Sequence, residues 1–279
     1  MLLTVLVDGN TILSNNHDFN DRYFLAEPGL SFHIKDGEKT ILFDTGHTDV
    51  FLQNAQKMNI DLSCLDYVVL SHGHIDHTGG LNSLISYNEE VHNKPILVAH
   101  PDCFLPKRDP GWGYIGSKLT ENNLSEKFDM KLSKDPLWLT DNLVFLGEIE
   151  RKNNFENQNP LGKVTKDEIE EDDFQFDDSA IVYKSKDGLV VISGCSHVGI
   201  CNIIEQAKKV CKDNRILEVI GGLHLINPTE IHLNSTLNYF KEISPKIVHP
   251  CHCTALKPKI ALAGVCNLEE TGVGMQFEY

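Results

Sequence analysis

Short apolar runs rich in valine, isoleucine and leucine recur along the chain at residues 4–7, 40–43, 67–70, 96–99, 189–192, 217–220 and 247–249. Runs of this length bounded by polar or turn-forming residues predict buried strands. Between some of them lie stretches with helical spacing, at residues 50–58, 199–210 and 228–242. Strands alternating with helices predict an α/β architecture. Residues 105–136 show neither period and hold prolines 106, 110 and 136, so an irregular insertion or lid is expected there. From Asp167 to Asp178 the chain is strongly acidic, which predicts a solvated helix followed by a turn. Asp177 and Asp178 stand directly before an apolar run at 180–183, where strand-end functional residues lie.

The pattern also carries a faint internal duplication. Ile41-Leu42-Phe43-Asp44-Thr45-Gly46 is followed by a helical stretch and a run ending at His72; Val191-Ile192-Ser193-Gly194-Cys195 is followed by a helical stretch and a run ending at His224. Two stacked, similar halves would bring Asp44, His72, Cys195 and His224 to one groove.

Composition narrows the class. The chain has 279 residues, 41% hydrophobic and 23% charged, enough to bury a core. Its formal charge of −15 disfavours nucleic acid and anionic membranes as partners. The first residues, Met1 to Asp8, read as a strand and not as a signal peptide. No run approaches the roughly 18 to 20 apolar residues that span a bilayer, so a soluble, cytoplasmic protein is expected. The eight cysteines are scattered and are expected as reduced thiols. Cys251-His252-Cys253 lacks the spacing and the second pair of a structural zinc finger.

One segment carries chemistry. In Ser71-His72-Gly73-His74-Ile75-Asp76-His77-Thr78-Gly79-Gly80, three imidazoles and a carboxylate follow a strand and precede a turn. These are the donors that Zn²⁺, Mn²⁺ and Fe²⁺ accept. On such a loop His72 and His74 can face one metal while Asp76 and His77 turn to a second.

The segment resembles the metal-binding motif of the metallo-β-lactamase superfamily. The likeness extends to Phe43-Asp44-Thr45-Gly46, Gly194-Cys195-Ser196-His197, Gly221-Gly222-Leu223-His224 and His252-Cys253-Thr254. Together these resemble the branch of the 7,8-dihydropterin-6-methyl-4-(β-D-ribofuranosyl)-aminobenzene-5′-phosphate synthases. The resemblance implies one domain over residues 1–279, a four-layer αβ/βα sandwich with a dinuclear metal site at one edge. It implies His72, His74, Asp76 and His77 as ligands, completed by His197 and His252, and two divalent ions, zinc first and manganese or iron as alternatives. Many superfamily members place a bridging aspartate where Cys195 or Ser196 stands here, which leaves Cys195 and Asp178 as competing candidates. Asp44 resembles the superfamily's structural aspartate, which orients the loop without binding metal.

Two metals sharing a water lower its pKa and stabilise charge on a substrate oxygen. The expected chemistry is attack by metal-bound hydroxide on a phosphoryl or acyl centre, with Asp76 and His224 as catalytic partners. Lys107 and Arg108, with Trp112, Tyr114 and Lys118, suit a small, phosphorylated, ring-bearing substrate. A pterin-related synthase and a phosphodiesterase acting on a nucleotide-like compound both fit. From another class, a di-iron redox protein on the same scaffold needs a flavin-binding partner domain, for which these residues leave no room.

Overall fold

A computed structural model describes residues 1–12 and 24–279. Two sheets face each other. The larger has seven strands, in the order Gln276–Glu278, Leu2–Val7, Ser31–Asp36, Lys39–Phe43, Tyr67–Val69, Ile96–Ala99 and Asp129–Leu132. The second has six, in the order Ile247–Cys251, Ile216–Gly222, Gly188–Ser193, Ala180–Ser185, Leu143–Phe145 and Leu137–Trp138. Phe32, Phe43, Val69 and Val98 of the first meet Phe145, Ile181, Ile192 and Ile220 of the second in a core with no solvent exposure. A second core packs the outer face of the larger sheet under the helices Val50–Lys57 and Leu81–Val91. A third lies under Ile200–Cys211 and Glu230–Ile243, through residues such as Ile203, Ala207 and Phe240. The layers therefore run helix, sheet, sheet, helix, the αβ/βα sandwich that the alternation and the motif led us to expect.

The duplication is visible in the topology. In each sheet an antiparallel portion passes into a parallel one: Lys39–Phe43, Tyr67–Val69, Ile96–Ala99 and Asp129–Leu132 are parallel neighbours, as are Gly188–Ser193, Ile216–Gly222 and Ile247–Cys251. Parallel strands need crossovers, and the helices Val50–Lys57 and Ile200–Cys211 supply equivalent ones. All these strands end at one edge, and functional groups gather at the carboxyl ends of such strands.

Two expectations need correction. Residues 105–136 are ordered: Lys107–Asp109 and Gly113–Tyr114 form a hairpin, and Asp129–Leu132 adds an edge strand to the larger sheet. Strands this short carry too few residues to show a period. The acidic run is no helix. Ile169–Asp172 pairs with Lys163–Lys166 across a two-residue turn at Asp167 and Glu168, both at positive φ, and Lys163 neutralises Asp172 opposite it at 2.7 Å. Among the described residues no helix is long and apolar enough to cross a membrane.

One buried histidine ties the fold to pH. His33, on Ser31–Asp36, leaves Nδ1 without a partner, and burial, helped by Lys35, lowers its pKa to about 4. Its stabilising contribution is complete above the unfolded value near 6.5 and is lost as pH falls toward 4. We predict that His33→Leu removes up to about 3 kcal/mol of the stability difference between pH 7.5 and pH 4, measured by urea denaturation at both. An unchanged pH dependence would refute it.

Candidate metal centre

The strand Tyr67–Val69 delivers Ser71 and His72 to the functional edge, and a short helix, Ile75–Thr78, turns His77 back toward them. Gly73 allows this path: a β-carbon there would lie 1.8 Å from the carbonyl oxygen of Cys103. Four other loops leave parallel strands at the same edge. Asp44, Ser196, His224 and His252 each follow such a strand and each adopts positive φ, an uncommon conformation for residues with a side chain. Non-glycine residues held this way cluster at functional sites.

These loops build two adjacent donor groups, one of His72, His74 and His197 and the other of Asp76, His77, Cys195 and His252. In the first, His72 Nε2, His74 Nδ1 and His197 Nε2 lie 3.1 Å from one another in all three pairings. An imidazole nitrogen either carries a proton or offers a lone pair. Three in mutual contact cannot alternate, so hydrogen bonds alone leave one contact setting like against like. A cation satisfies all three lone pairs. Zinc holding imidazoles tetrahedrally at about 2.0–2.1 Å keeps their nitrogens roughly 3.3 Å apart, close to the spacing here. In the second group His77 Nε2 lies 3.2 Å from both Cys195 Sγ and His252 Nε2, and Asp76 Oδ2 lies 3.3 Å from His252 Nε2. The rings of His72 and His77 are 4.2 Å apart, so the groups are neighbours.

One carboxylate orients both. Asp44 Oδ2 accepts from His77 Nδ1 at 2.7 Å and from Ser71 Oγ at 2.7 Å, and Ser71 Oγ lies 2.9 Å from His72 Nδ1. A carboxylate only accepts, so Nδ1 of His77 carries the proton, and Ser71, donating to Asp44, accepts from His72. Both Nε2 atoms thus face the donor groups, the arrangement by which an outer carboxylate sets ligand tautomers.

Electrostatics divide the two groups. Burial pulls the pKa values of His72, His74 and His197 down, that of His74 to about 4, leaving neutral imidazoles with free lone pairs. Burial also acts against a charge on His77, but the carboxylates of Asp76 and Asp44 outweigh it and lift its pKa to about 9. Burial pushes the Cys195 thiol up. A cation entering the second group therefore displaces protons, as metal binding to thiols and imidazoles does generally.

The remaining candidates fall elsewhere. Asp178 lies behind the first group: Oδ2 accepts from the Val198 amide at 2.8 Å, and Oδ1 is 3.9 Å from His72 Nδ1, on the side away from the donor nitrogens. Burial raises its pKa to about 8. His224 meets His197 edge-on, with ring centroids 4.3 Å apart and planes crossed at 62°, leaves its own Nδ1 buried and unpartnered, and lines the cavity above both groups. Lys107 does not reach that cavity. It is buried, with its ammonium 3.0 Å from Asp173 and 2.7 Å from Asp177, because burial of a charge demands partners. Arg108 is exposed on the hairpin and lines none of the cavities over the groups. Residue patterns alone did not disclose two supports. Ser71 relays Asp44 to His72, and Asp177 ties Lys107 to the Gly73 amide at 2.8 Å. Their only sequence signals were adjacency to His72 and a position before a strand.

Two substitutions check this construction. Asp44→Asn presents an amide to His77 and should weaken binding in both groups about 10- to 100-fold, read by competition against a chelator; full retention of affinity would contradict the shared orientation. Lys107→Ala leaves two carboxylates buried without a counter-charge and should cost about 3–5 kcal/mol in urea denaturation.

Comparison with known proteins agrees with this architecture. Residues 26–154 match the model of the metallo-beta-lactamase superfamily. An uncharacterized protein of Methanocaldococcus jannaschii is 33% identical over 256 residues, covering 90% of this chain and 93% of its own. The 7,8-dihydropterin-6-methyl-4-(beta-D-ribofuranosyl)-aminobenzene-5'-phosphate synthase of the same organism is 33% identical over 253 residues, covering 84% and 83%. The crystal structure of Tm1679, described as a metal-dependent hydrolase of the beta-lactamase superfamily, superposes with a TM-score of 0.83 at 28% identity, covering 100% of this chain and 99% of that one. With the sandwich, the clustered histidines and relatives that match it nearly end to end, the chain belongs to the metallo-beta-lactamase superfamily.

Proposed function

We propose that the chain is a metal-dependent hydrolase or transferase acting on a small phosphate-containing substrate at a dinuclear centre. The observation that carries this reading is the pair of donor groups at the floor of a cavity of about 540 Å³. His72, His74 and His197 would hold one ion and Asp76, His77, Cys195 and His252 the other. Imidazoles with a thiolate suit zinc well. Bound there, two divalent ions supply an activated water and charge stabilisation at a phosphoryl or acyl centre. Asp76 and His252, partly exposed, face the cavity where that centre would lie. His224, edge-on to His197 at the cavity wall, would hold a proton or a hydrogen bond for the substrate.

The cavities say something about substrate charge. Among the described residues, no lysine or arginine lines any of the three that meet at the centre. Ions held by these imidazoles would be the main positive charge that the described lining offers to an anionic group. The relative named as a pterin-related synthase supports a second reading, in which the same centre serves a condensation involving a pterin and a ribofuranosyl phosphate.

Metal analysis combined with turnover of bis-p-nitrophenyl phosphate tests the proposal. We expect about two ions per chain, turnover with added zinc or manganese, and a loss of more than about a hundredfold in His74→Ala. Metal-loaded protein that turns over no phosphoester would favour the synthase; protein that takes up no stoichiometric metal would overturn both.

A further inference from the structure

Trp112 is the largest exposed apolar side chain over the centre, with 87% of its surface in contact with solvent. An indole so exposed is informative, because a large apolar group in water normally finds cover. Its support is rigid. Asp109 Oδ1 accepts from the backbone amides of Gly111 and Trp112 at 2.7 and 3.0 Å and fixes the turn. The hairpin below is bonded to the metal loop itself: the Ile75 amide donates to the Ile115 carbonyl at 2.8 Å, and His74 pairs with Gly116. The buried Lys107, in the same hairpin, anchors it to Asp173 and Asp177. The backbone that carries the indole is thus tied to the metal loop at His74 and Ile75.

That position overhangs two cavities at once. Trp112 lines both the 540 Å³ cavity and an adjoining one of about 340 Å³, and both have His74, Asp76, His197 and His224 among their lining residues. Around it the smaller cavity presents Pro28, Ile75, Ile115 and Leu161, an apolar wall above polar imidazoles. An apolar wall with a few convergent polar groups is the usual form of a small-molecule site.

We propose that Trp112 determines specificity by stacking on a planar aromatic or heteroaromatic ring in the substrate, while the phosphate of the same molecule rests on the metals. The proposal rests on the phosphate reading above and adds the ring. Stacking on an indole face tolerates many rings, so Trp112 selects for a ring and not for one compound.

The chain has two tryptophans, so in a Trp138→Phe background Trp112 is the sole indole reporter. Zinc-loaded protein would be titrated with phenylphosphonate and with methylphosphonate, reading indole fluorescence and, in parallel, calorimetric affinity. We expect phenylphosphonate to change the fluorescence and to bind about tenfold more tightly. Calorimetry on Trp112→Ala should show that preference collapse, with zinc content retained as the folding control, and Trp112→Phe should keep part of it. Equal affinities for the two phosphonates, or a preference that survives Trp112→Ala, would overturn the stacking role and leave the phosphate reading standing. If neither phosphonate binds, both fall together.

Discussion

The carboxylate of Asp44 is the constraint on which the site depends. It is fully buried, and its acceptor oxygens are shared among His77, the hydroxyl of Ser71 and the amide of Ser71. Because a carboxylate can only accept, each partner must present a proton to it. That requirement turns Nε2 of His72, free of a proton, and Nε2 of His77, which gives up its proton to an entering ion, toward the two donor groups. A single oxygen pair therefore orients one ring in each group, and the groups are coupled before any ion arrives. The backbone shares the burden: Asp44 itself sits at positive φ, so the strand end is bent to bring its carboxylate under the loop.

The fold supplies what that bend requires. Two half-parallel sheets, packed face to face on phenylalanine and branched aliphatic side chains, bring their parallel strand ends to one edge. Each half contributes loops whose left-handed residues turn donors inward, and the packed core holds those conformations in place. The supports continue outward through Gly73, whose amide donates to Asp177, and from Asp177 to the ammonium of Lys107. Lys107 belongs to the hairpin that carries Trp112, so one chain of contacts runs from the donor groups to the rim of the cavity.

Charge is distributed in the same sense. Among the described residues of a chain of formal charge −15, no lysine or arginine lines the three cavities at the centre, which present imidazole, carboxylate, thiol, amide and apolar groups. Cations bound at the histidines would be the dominant positive charge there. The role expected for Lys107 is thereby inverted: its ammonium stabilises the protein that surrounds the site and does not meet a ligand.

The sequence by itself determined the alternation of the main strands and helices, without the strand Ser31–Asp36 or the helix Leu81–Val91, and the half of the site that is local. Apolar runs at 40–43, 67–70 and 189–192 match strands because full burial imposes a continuous apolar pattern, and His72 to His77 lie together because six residues cannot separate. Short elements stayed hidden, since Gly113–Tyr114 or Ile169–Asp172 carry too few positions to show a period, and acidity at 167–172 resembles a helix face as well as a hairpin edge. Only the tertiary structure decided the rest. It placed Cys195 Sγ beside His77 and left Asp178 behind His72, a choice set by which side of a strand end faces the groove. It buried Lys107 against aspartates far along the chain and left Trp112 in solvent. Those outcomes depend on long-range packing and on charge compensation between segments, which no local pattern of residues encodes.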